Sequence, residues 1–305
     1  MPVGATDPEG RPWGRVVDFL VHVTGDPVGI GRRLTEGEIA LGDGSTVTAA
    51  TAYRPGSVVY LYRDLPVEAP VPFEVDVLLH DEDTGLLVVD KPPFLATAPR
   101  GGHVAQTVLV RLRRALDLPE LTPAHRLDRL TSGVLLLTTR RAARGAYQTM
   151  VQQRGLSKTY EAVAPVRPDL VLPTTVVDRI VKARGDLTAR VVPGTPNART
   201  RVELVGEREG LGRYRLTPTT GRTHQLRVHL AGLGVPIVND PLYPEVREVD
   251  PTDFGSPLQL LARQVRFRDP VSGKERVVTS RRTLPILGAP ATEVPSDRTD
   301  GATGA

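Results

Sequence analysis

The apolar run Val134-Leu135-Leu136-Leu137 follows directly on Pro123-Ala124-His125-Arg126-Leu127-Asp128-Arg129-Leu130-Thr131-Ser132-Gly133, a segment crowded with charge and hydroxyls. A short run that is apolar at every position reads as a buried strand, and it needs a core able to cover it. A chain of 305 residues can supply one, as a single large domain or a main domain with a smaller appendage. Polar side chains are therefore held at the entrance to a buried strand.

The rest of the pattern fits around that strand. After the acidic turn Asp81-Glu82-Asp83, the run Leu86 to Val89 reads as the first buried strand of the main domain. Further strands are expected over Val134–Thr138, Thr159–Ala164, Thr200–Val205 and Tyr214–Thr217, and helices over Thr107–Leu116, Arg141–Gln153 and Thr223–Leu230. Few of these strands are joined by regular helical crossovers. The expected class is therefore α+β with a mixed, largely antiparallel sheet, not a doubly wound α/β fold. Residues 1–72 read as a small N-terminal module, with a helix near Ile30–Arg33, a strand over Gly37–Leu41, a tight turn at Gly42-Asp43-Gly44 and a strand over Ser57–Tyr62. Pro66, Pro70 and Pro72 punctuate a linker. The main domain is expected over 73–287, followed by a tail, 288–305, with almost nothing to bury and an expectation of disorder.

Composition removes several classes of function. There is no cysteine, hence no disulfide framework, thiolate nucleophile or Cys-ligated zinc site. No apolar run approaches the roughly 20 residues that cross a bilayer, so no membrane association is expected. Met1 to Gly10 lacks the basic start and apolar stretch of a secretory signal, which gives an expectation of a cytoplasmic protein. The net charge is +4 and the pI near 9.6, and all but Lys91, Lys158, Lys182 and Lys274 of the 39 basic residues are arginine. Arginine forks phosphate and stacks on bases, but an arginine-biased genome gives the same composition, and composition alone leaves both readings open.

Position is more informative. Asp128 lies beside Arg129 and two residues from Arg126, where neighbouring cations keep a carboxylate ionised and fit it for nucleophilic work. A surface salt-bridge loop has the same composition. In Thr219-Thr220-Gly221-Arg222-Thr223-His224-Gln225-Leu226-Arg227-Val228-His229-Leu230, Gly221 permits a tight turn and Thr223 can cap a helix. That helix end, with Arg222 and Arg227, would form a site for an anion, either phosphate or Asp128. His224 and His229 are five apart and do not share a helical face, so no metal site is expected, and capping and hydrogen bonding of a half-buried helix is the favoured reading of the pair. In Leu156-Ser157-Lys158-Thr159-Tyr160-Glu161-Ala162-Val163, alternation puts Tyr160 and Ala162 on one strand face, either as ordinary core or as a ring on which a flipped base could stack.

Taken together, these segments resemble the RluA family of pseudouridine synthases. His125 to Gly133 resembles the family's catalytic motif, Lys158-Thr159-Tyr160-Glu161-Ala162 its tyrosine motif, and Thr220 to His229 its third motif. Asp90-Lys91-Pro92-Pro93 and Gly234 through Tyr243 fit the flanks in the expected order, and the likeness runs from about Val75 to Val278. The resemblance implies an isomerase acting on uridines of structured RNA, ribosomal or transfer, without cofactor or metal, and a monomer is expected. It implies a largely antiparallel sheet with a central RNA-binding cleft. Asp128 would be the catalytic nucleophile or base, with attack on ribose or on uracil left open. Tyr160 would pack on the flipped base, and Arg227 would pair with Asp128. Arg126 would enter the gap in the RNA stack, with His125, Arg129, Arg222, His224 and Gln225 as further RNA contacts, and Leu226 and Val228 would wall the pocket. The stretch through Arg32-Arg33-Leu34, Gly37-Glu38-Ile39 and Gly56-Ser57-Val58-Val59 departs from the pattern. It is only a faint likeness of the S4 RNA-binding domain with which many relatives begin, and reads as a degenerate S4-like module or a plain packing domain. Two rivals remain: an RNA-binding protein on the same scaffold without catalysis, and a hydrolase, which would need a second carboxylate near Asp128.

Overall fold

A computed structural model describes residues 1–61, 68–183 and 185–284. The expected disordered tail and Pro66 lie outside them. The chain divides into two compact units, Met1–Pro66 and Val67–Ala305, and each is described by itself.

The first unit holds helices α1 (Val16–Thr24) and α2 (Pro27–Thr35) and an antiparallel pair, β1 (Ile39–Leu41) and β2 (Val59–Leu61). Val16, Leu20, Ile30, Ile39 and Val47 form its core. Asp26 caps α2 by accepting from the Gly29 N–H at 2.8 Å, and Pro27 follows, where a missing N–H costs nothing. α1 was not expected from the sequence. Its apolar residues Val16, Val17, Phe19, Leu20 and Val21 are almost contiguous, which obscures the helical period.

The second unit contains, in order, β3 (Asp76–Asp81), β4 (Leu86–Lys91), α3 (Val108–Ala115), β5 (Thr122–Pro123), β6 (Ser132–Thr138), α4 (Arg141–Gln152), β7 (Ser157–Pro165), β8 (Thr174–Asp178), β9 (Ile180–Val181), β10 (Arg190–Val191), β11 (Ala198–Arg208), β12 (Leu211–Pro218), α5 (Gln225–Gly232), β13 (Leu260–Arg268) and β14 (Glu275–Thr279). Ten of these strands make one sheet in the order β3-β4-β6-β13-β7-β12-β11-β8, with β14 on β13 and β5 on β6. Every pairing in it is antiparallel except β6 with β13, where Ser132 and Gly133 lie opposite Leu261 and Ala262. This is the α+β fold with a mixed, largely antiparallel sheet that the sequence implied.

β4 and β6 are buried on both faces, which explains why they carry no polar alternation. Leu87, Val89, Leu135 and Leu137 enter the main core with α3, while Leu86, Val88, Val134 and Leu136 enter a second core under α4. Thr107 caps α3 by accepting from the Val110 N–H at 3.2 Å. Tyr147 of α4 donates to Asp269 at 2.9 Å, giving a buried phenol its partner.

The parallel junction of β6 and β13 joins the two antiparallel halves of the sheet, and Gly133 makes it possible. Its φ is 108°, a region few side chains tolerate, and a Cβ there would sit 2.3 Å from the Ala262 carbonyl oxygen. The Asp128 loop enters the sheet at this junction.

Candidate active site

The loop between β5 and β6 is fixed on both sides of Asp128. Leu127, almost fully buried in the main core, exchanges hydrogen bonds with the Thr97 hydroxyl, which donates to its carbonyl at 2.9 Å and accepts from its N–H at 3.1 Å. On the other side, the Lys91 ammonium donates to the carbonyl oxygens of Pro92, Leu95 and Arg129 at 2.9, 2.7 and 3.0 Å. Lys91 is wholly buried, and burial holds its pKa well below the usual lysine value, opposed by the negative charge of Asp128. The Thr131 N–H donates to the Asp128 carbonyl at 3.1 Å and closes the turn. The loop is thus anchored through its backbone, leaving the Asp128 side chain free to face outward.

Asp128 faces a cleft of about 670 Å³ whose wall also includes Tyr160, Lys158, His224, Leu226 and Arg227. Among the described residues lining it, Asp128 is the sole acid, and its carboxylate has no hydrogen bond or ion pair. Arg100, Arg126, Arg154, Lys158, Arg222 and Arg227 make the rest of the wall strongly positive. Such a cleft attracts a polyanion while holding one carboxylate available. Tyr160 shares its face with Ala162, both in the main core, and burial, reinforced by Asp128, raises its phenol above the usual range, so it stays neutral. Glu161 turns the other way and pairs with Arg263 at 2.8 Å. The second acid a hydrolase needs is missing from the described cleft lining.

The third motif is arranged differently from the expectation. α5 begins at Gln225, and its N-cap is His224 in the left-handed region at φ 58°, without a side-chain cap. Thr223 does not cap the helix. Gln225, expected on RNA, is instead 4% exposed. Its amide oxygen accepts from the Arg222 N–H at 3.0 Å and the Thr220 hydroxyl at 2.8 Å, and its nitrogen donates to Arg199 O and Thr200 Oγ1 at 3.1 and 2.9 Å. It spends its polar capacity on tying the turn to β11. Arg222 is exposed, with Nε donating to the Asn197 carbonyl at 3.2 Å.

The expected pairing of Arg227 with Asp128 is also not what the structure shows. Arg227, 3% exposed, holds Asp240 through Nε and Nη2 at 2.7 and 2.6 Å. Asp240 is fully buried and also accepts from the Leu242 and Tyr243 N–H groups at 2.9 and 3.2 Å. A carboxylate removed from water needs a cation more than half-exposed Asp128 does, and it takes both arms of the fork. The guanidinium lies 5.2 Å from the centre of the Tyr243 ring.

Tyr243 also meets His224: its hydroxyl is 2.8 Å from His224 Nδ1 and accepts the Ala189 N–H at 2.6 Å. Burial is the main cause that lowers His224 to about 4, with Arg227 acting the same way and Asp128 opposing it, so the ring is neutral near pH 7. His229 lies beside the Thr200 hydroxyl at 2.9 Å. Both histidines make hydrogen bonds within the fold, but neither side chain caps α5 as the sequence reading also expected, and among the described residues no group of His, Asp and Glu could hold a metal ion.

Three other expected residues are placed as follows. His125 lines the cleft, but its Nε2 accepts the Leu136 N–H at 3.2 Å, and burial with Lys158 nearby holds its pKa well below the usual value. Val228 does not wall the cleft. It packs with Ile180, Ala189, Ala198 and Tyr243, because α5 turns that face away from Leu226. Arg129 is half-buried and does not line the cleft, and burial, with the charge of Arg227, lowers its pKa.

The sequence and the fold of the second unit are similar to those of known proteins. Residues 85–232 match the family described as RNA pseudouridylate synthase. The chain is 36% identical over 228 residues to an uncharacterized RNA pseudouridine synthase of Chloroflexus aurantiacus, covering 70% of this chain and 69% of that one. The chain belongs to the RNA pseudouridylate synthase family, in the RluA-type group its motifs resemble. It is also 37% identical over 190 residues to human pseudouridylate synthase RPUSD2, a match that covers 59% of this chain but 33% of the human protein. The human RNA pseudouridylate synthase domain containing 1 has the same fold, with a TM-score of 0.58 and 24% identity over 75% of this chain and 94% of that one.

Sequence reasoning assigned no role to Lys91, Asp240 or Tyr243. Lys91 and Asp240 stood in the flanking segments, but nothing in those segments shows which carbonyls or guanidinium they meet.

Proposed function

We propose that this chain isomerises uridine to pseudouridine in structured RNA, ribosomal or transfer, with Asp128 as its catalytic carboxylate. The observation that carries this reading is the unpaired Asp128 carboxylate, the one acid among the described residues of a cleft whose other charged lining residues are all cations. In the reaction the C1′–N1 bond breaks and a C1′–C5 bond forms on the same uracil, while C5 loses a proton and N1 gains one. No electrons are gained or lost overall, so the step needs a nucleophile or base and a held ring. Asp128 supplies the first and the buried Tyr160 face packs against the second. Arg126, exposed at the cleft, reaches into the gap the flipped uridine leaves, and Arg222 contacts phosphate. Leu226 supplies an apolar wall. Arg227 acts on the site through Asp240 and Tyr243.

The test is nucleoside analysis of RNA treated with purified protein and with Asp128→Asn. Pseudouridine appearing in intact RNA with the parent, and none with Asp128→Asn at an RNA affinity within about tenfold, is the expected result. Turnover retained by Asp128→Asn refutes the assignment of the acid, free uracil would indicate hydrolysis, and binding without any product would leave an RNA-binding protein.

A further inference from the structure

Lys158 is a cation for which the fold provides no use. It lies near the start of β7, half-buried, and lines the cleft with Tyr160, whereas Thr159 between them does not. Its ammonium has no hydrogen bond and no ion pair to any described residue. Burial pushes its pKa down with no nearby carboxylate to offset it, and its charge in turn helps keep His125 neutral. The contrast with Lys91 is informative: that ammonium, more deeply buried, donates to three carbonyls. A partly desolvated cation without a protein acceptor is a cost to the folded state, and an anion arriving from outside relieves it.

Strand geometry locates that anion. Residues two apart on a strand share a face and stand about 7 Å apart along it. If Tyr160 packs on the flipped uracil, Lys158 lies one step along the same wall, within the span that separates a base from the phosphates of its own nucleotide. Asp128 is the only acid lining the described cleft, and it is spoken for by the chemistry. We propose that Lys158 binds a phosphate flanking the target uridine, and so fixes the ribose of the flipped nucleotide against Asp128. This rests on the functional reading above. The contact adds a charge-assisted bond made by a group that is poorly hydrated before RNA arrives, so the gain on binding exceeds that of an exposed surface lysine.

The test pairs protein variants with single neutral linkages in the RNA. A synthetic stem-loop around a uridine that the parent modifies carries one methylphosphonate at a time, with 2′-O-methyl on the preceding ribose to keep the strand intact. The matched control has the 2′-O-methyl and an ordinary phosphate. With the parent, neutralising one of the two linkages flanking the target raises the RNA concentration for half-maximal single-turnover rate about tenfold. With Lys158→Met the phosphate RNA is weakened by the same factor and that linkage no longer matters, while Lys158→Arg restores most of the parent behaviour. Without RNA, Lys158→Met melts at or above the parent temperature. Unchanged penalties at both flanking linkages in Lys158→Met overturn the proposal, as does a penalty lost only at a distant linkage. A lower melting temperature for Lys158→Met assigns the residue to the scaffold and overturns it also. A parent that modifies no RNA fails earlier and refutes the functional reading itself.

Discussion

Replacing Asp240 by Asn tests whether Arg227 is held by that residue and not by Asp128. The side chain keeps its shape, and its oxygen can still accept the Leu242 and Tyr243 N–H groups. The amide nitrogen, however, would face the donating Nε of Arg227, where the carboxylate accepted at 2.7 Å. One strong bond is lost and a guanidinium 3% exposed is left without its counter-charge. Breaking a buried pair in this way costs about 3–5 kcal/mol. For a unit of this size, that lowers the melting temperature by roughly 6–20 °C. The sole tryptophan, Trp13, lies in the first unit, so its fluorescence would miss the event, and far-ultraviolet circular dichroism with calorimetry is the suitable assay. Single-turnover rates at saturating RNA should fall at least tenfold below the melting range, because Tyr243 and His224 are braced by the same pair. The double variant Arg227→Met, Asp240→Leu should be more stable than Asp240→Asn alone, since removing both partners leaves no orphaned charge. If Asp240→Asn melts within about 2 °C of the parent, or the double variant shows the sum of the single losses, the buried-pair reasoning is wrong.

Two further substitutions probe the seat of Asp128. Lys91→Met leaves the carbonyls of Pro92, Leu95 and Arg129 without their donor, so it should lower both the melting temperature and the saturated single-turnover rate, with RNA affinity changing less; an unchanged rate would show that the Asp128 loop does not depend on this anchor. Gly133→Ala should cost more than about 3 kcal/mol, seen as insoluble protein or a large drop in denaturation midpoint, because the methyl meets the Ala262 backbone at 2.3 Å and the backbone is already left-handed; near-parent stability would refute the close β6–β13 junction.

What could be read from the sequence was what local pattern controls. Leu86–Val89 and Val134–Leu137 announced buried strands because every position is apolar, and the helix expected from Thr107 to Leu116 is α3, with Thr107 accepting from the Val110 N–H as its cap. β13 was not read as a strand, although it lies in the middle of the sheet. Its arginines at 263, 266 and 268 break the apolar run, and only the fold reveals that Arg263 answers Glu161 and the carbonyls of Ser280 and Arg282. The cap of α5 was misread for a similar reason. Thr223 has the right chemistry, but α5 has no side-chain cap, and the turn before it is held by the Gln225 side chain accepting from the Arg222 N–H; a residue bonding backward across a turn leaves no periodic trace.

The partner of Arg227 was misread because the resemblance that paired it with Asp128 says nothing about burial. Asp128 and Asp240 both stood in matching segments, and either could have met the guanidinium. The choice follows from solvent. Asp240 is wholly enclosed and without a counter-charge would bear the full cost of leaving water, while Asp128 opens on the cleft, where solvent reaches it. Had Arg227 been bound to Asp128 by both arms, the acid would be held more firmly, but in the proposed role it would also be a weaker nucleophile or base, since each donated bond stabilises its charge. Placing the fork on Asp240 keeps a positive charge near Asp128 without consuming its lone pairs. The same logic accounts for Lys91, whose hydrogen bonds go to the carbonyls around the loop and not to the carboxylate itself. Both cations stabilise the surroundings of Asp128 and leave its carboxylate unbonded, as the proposed role requires.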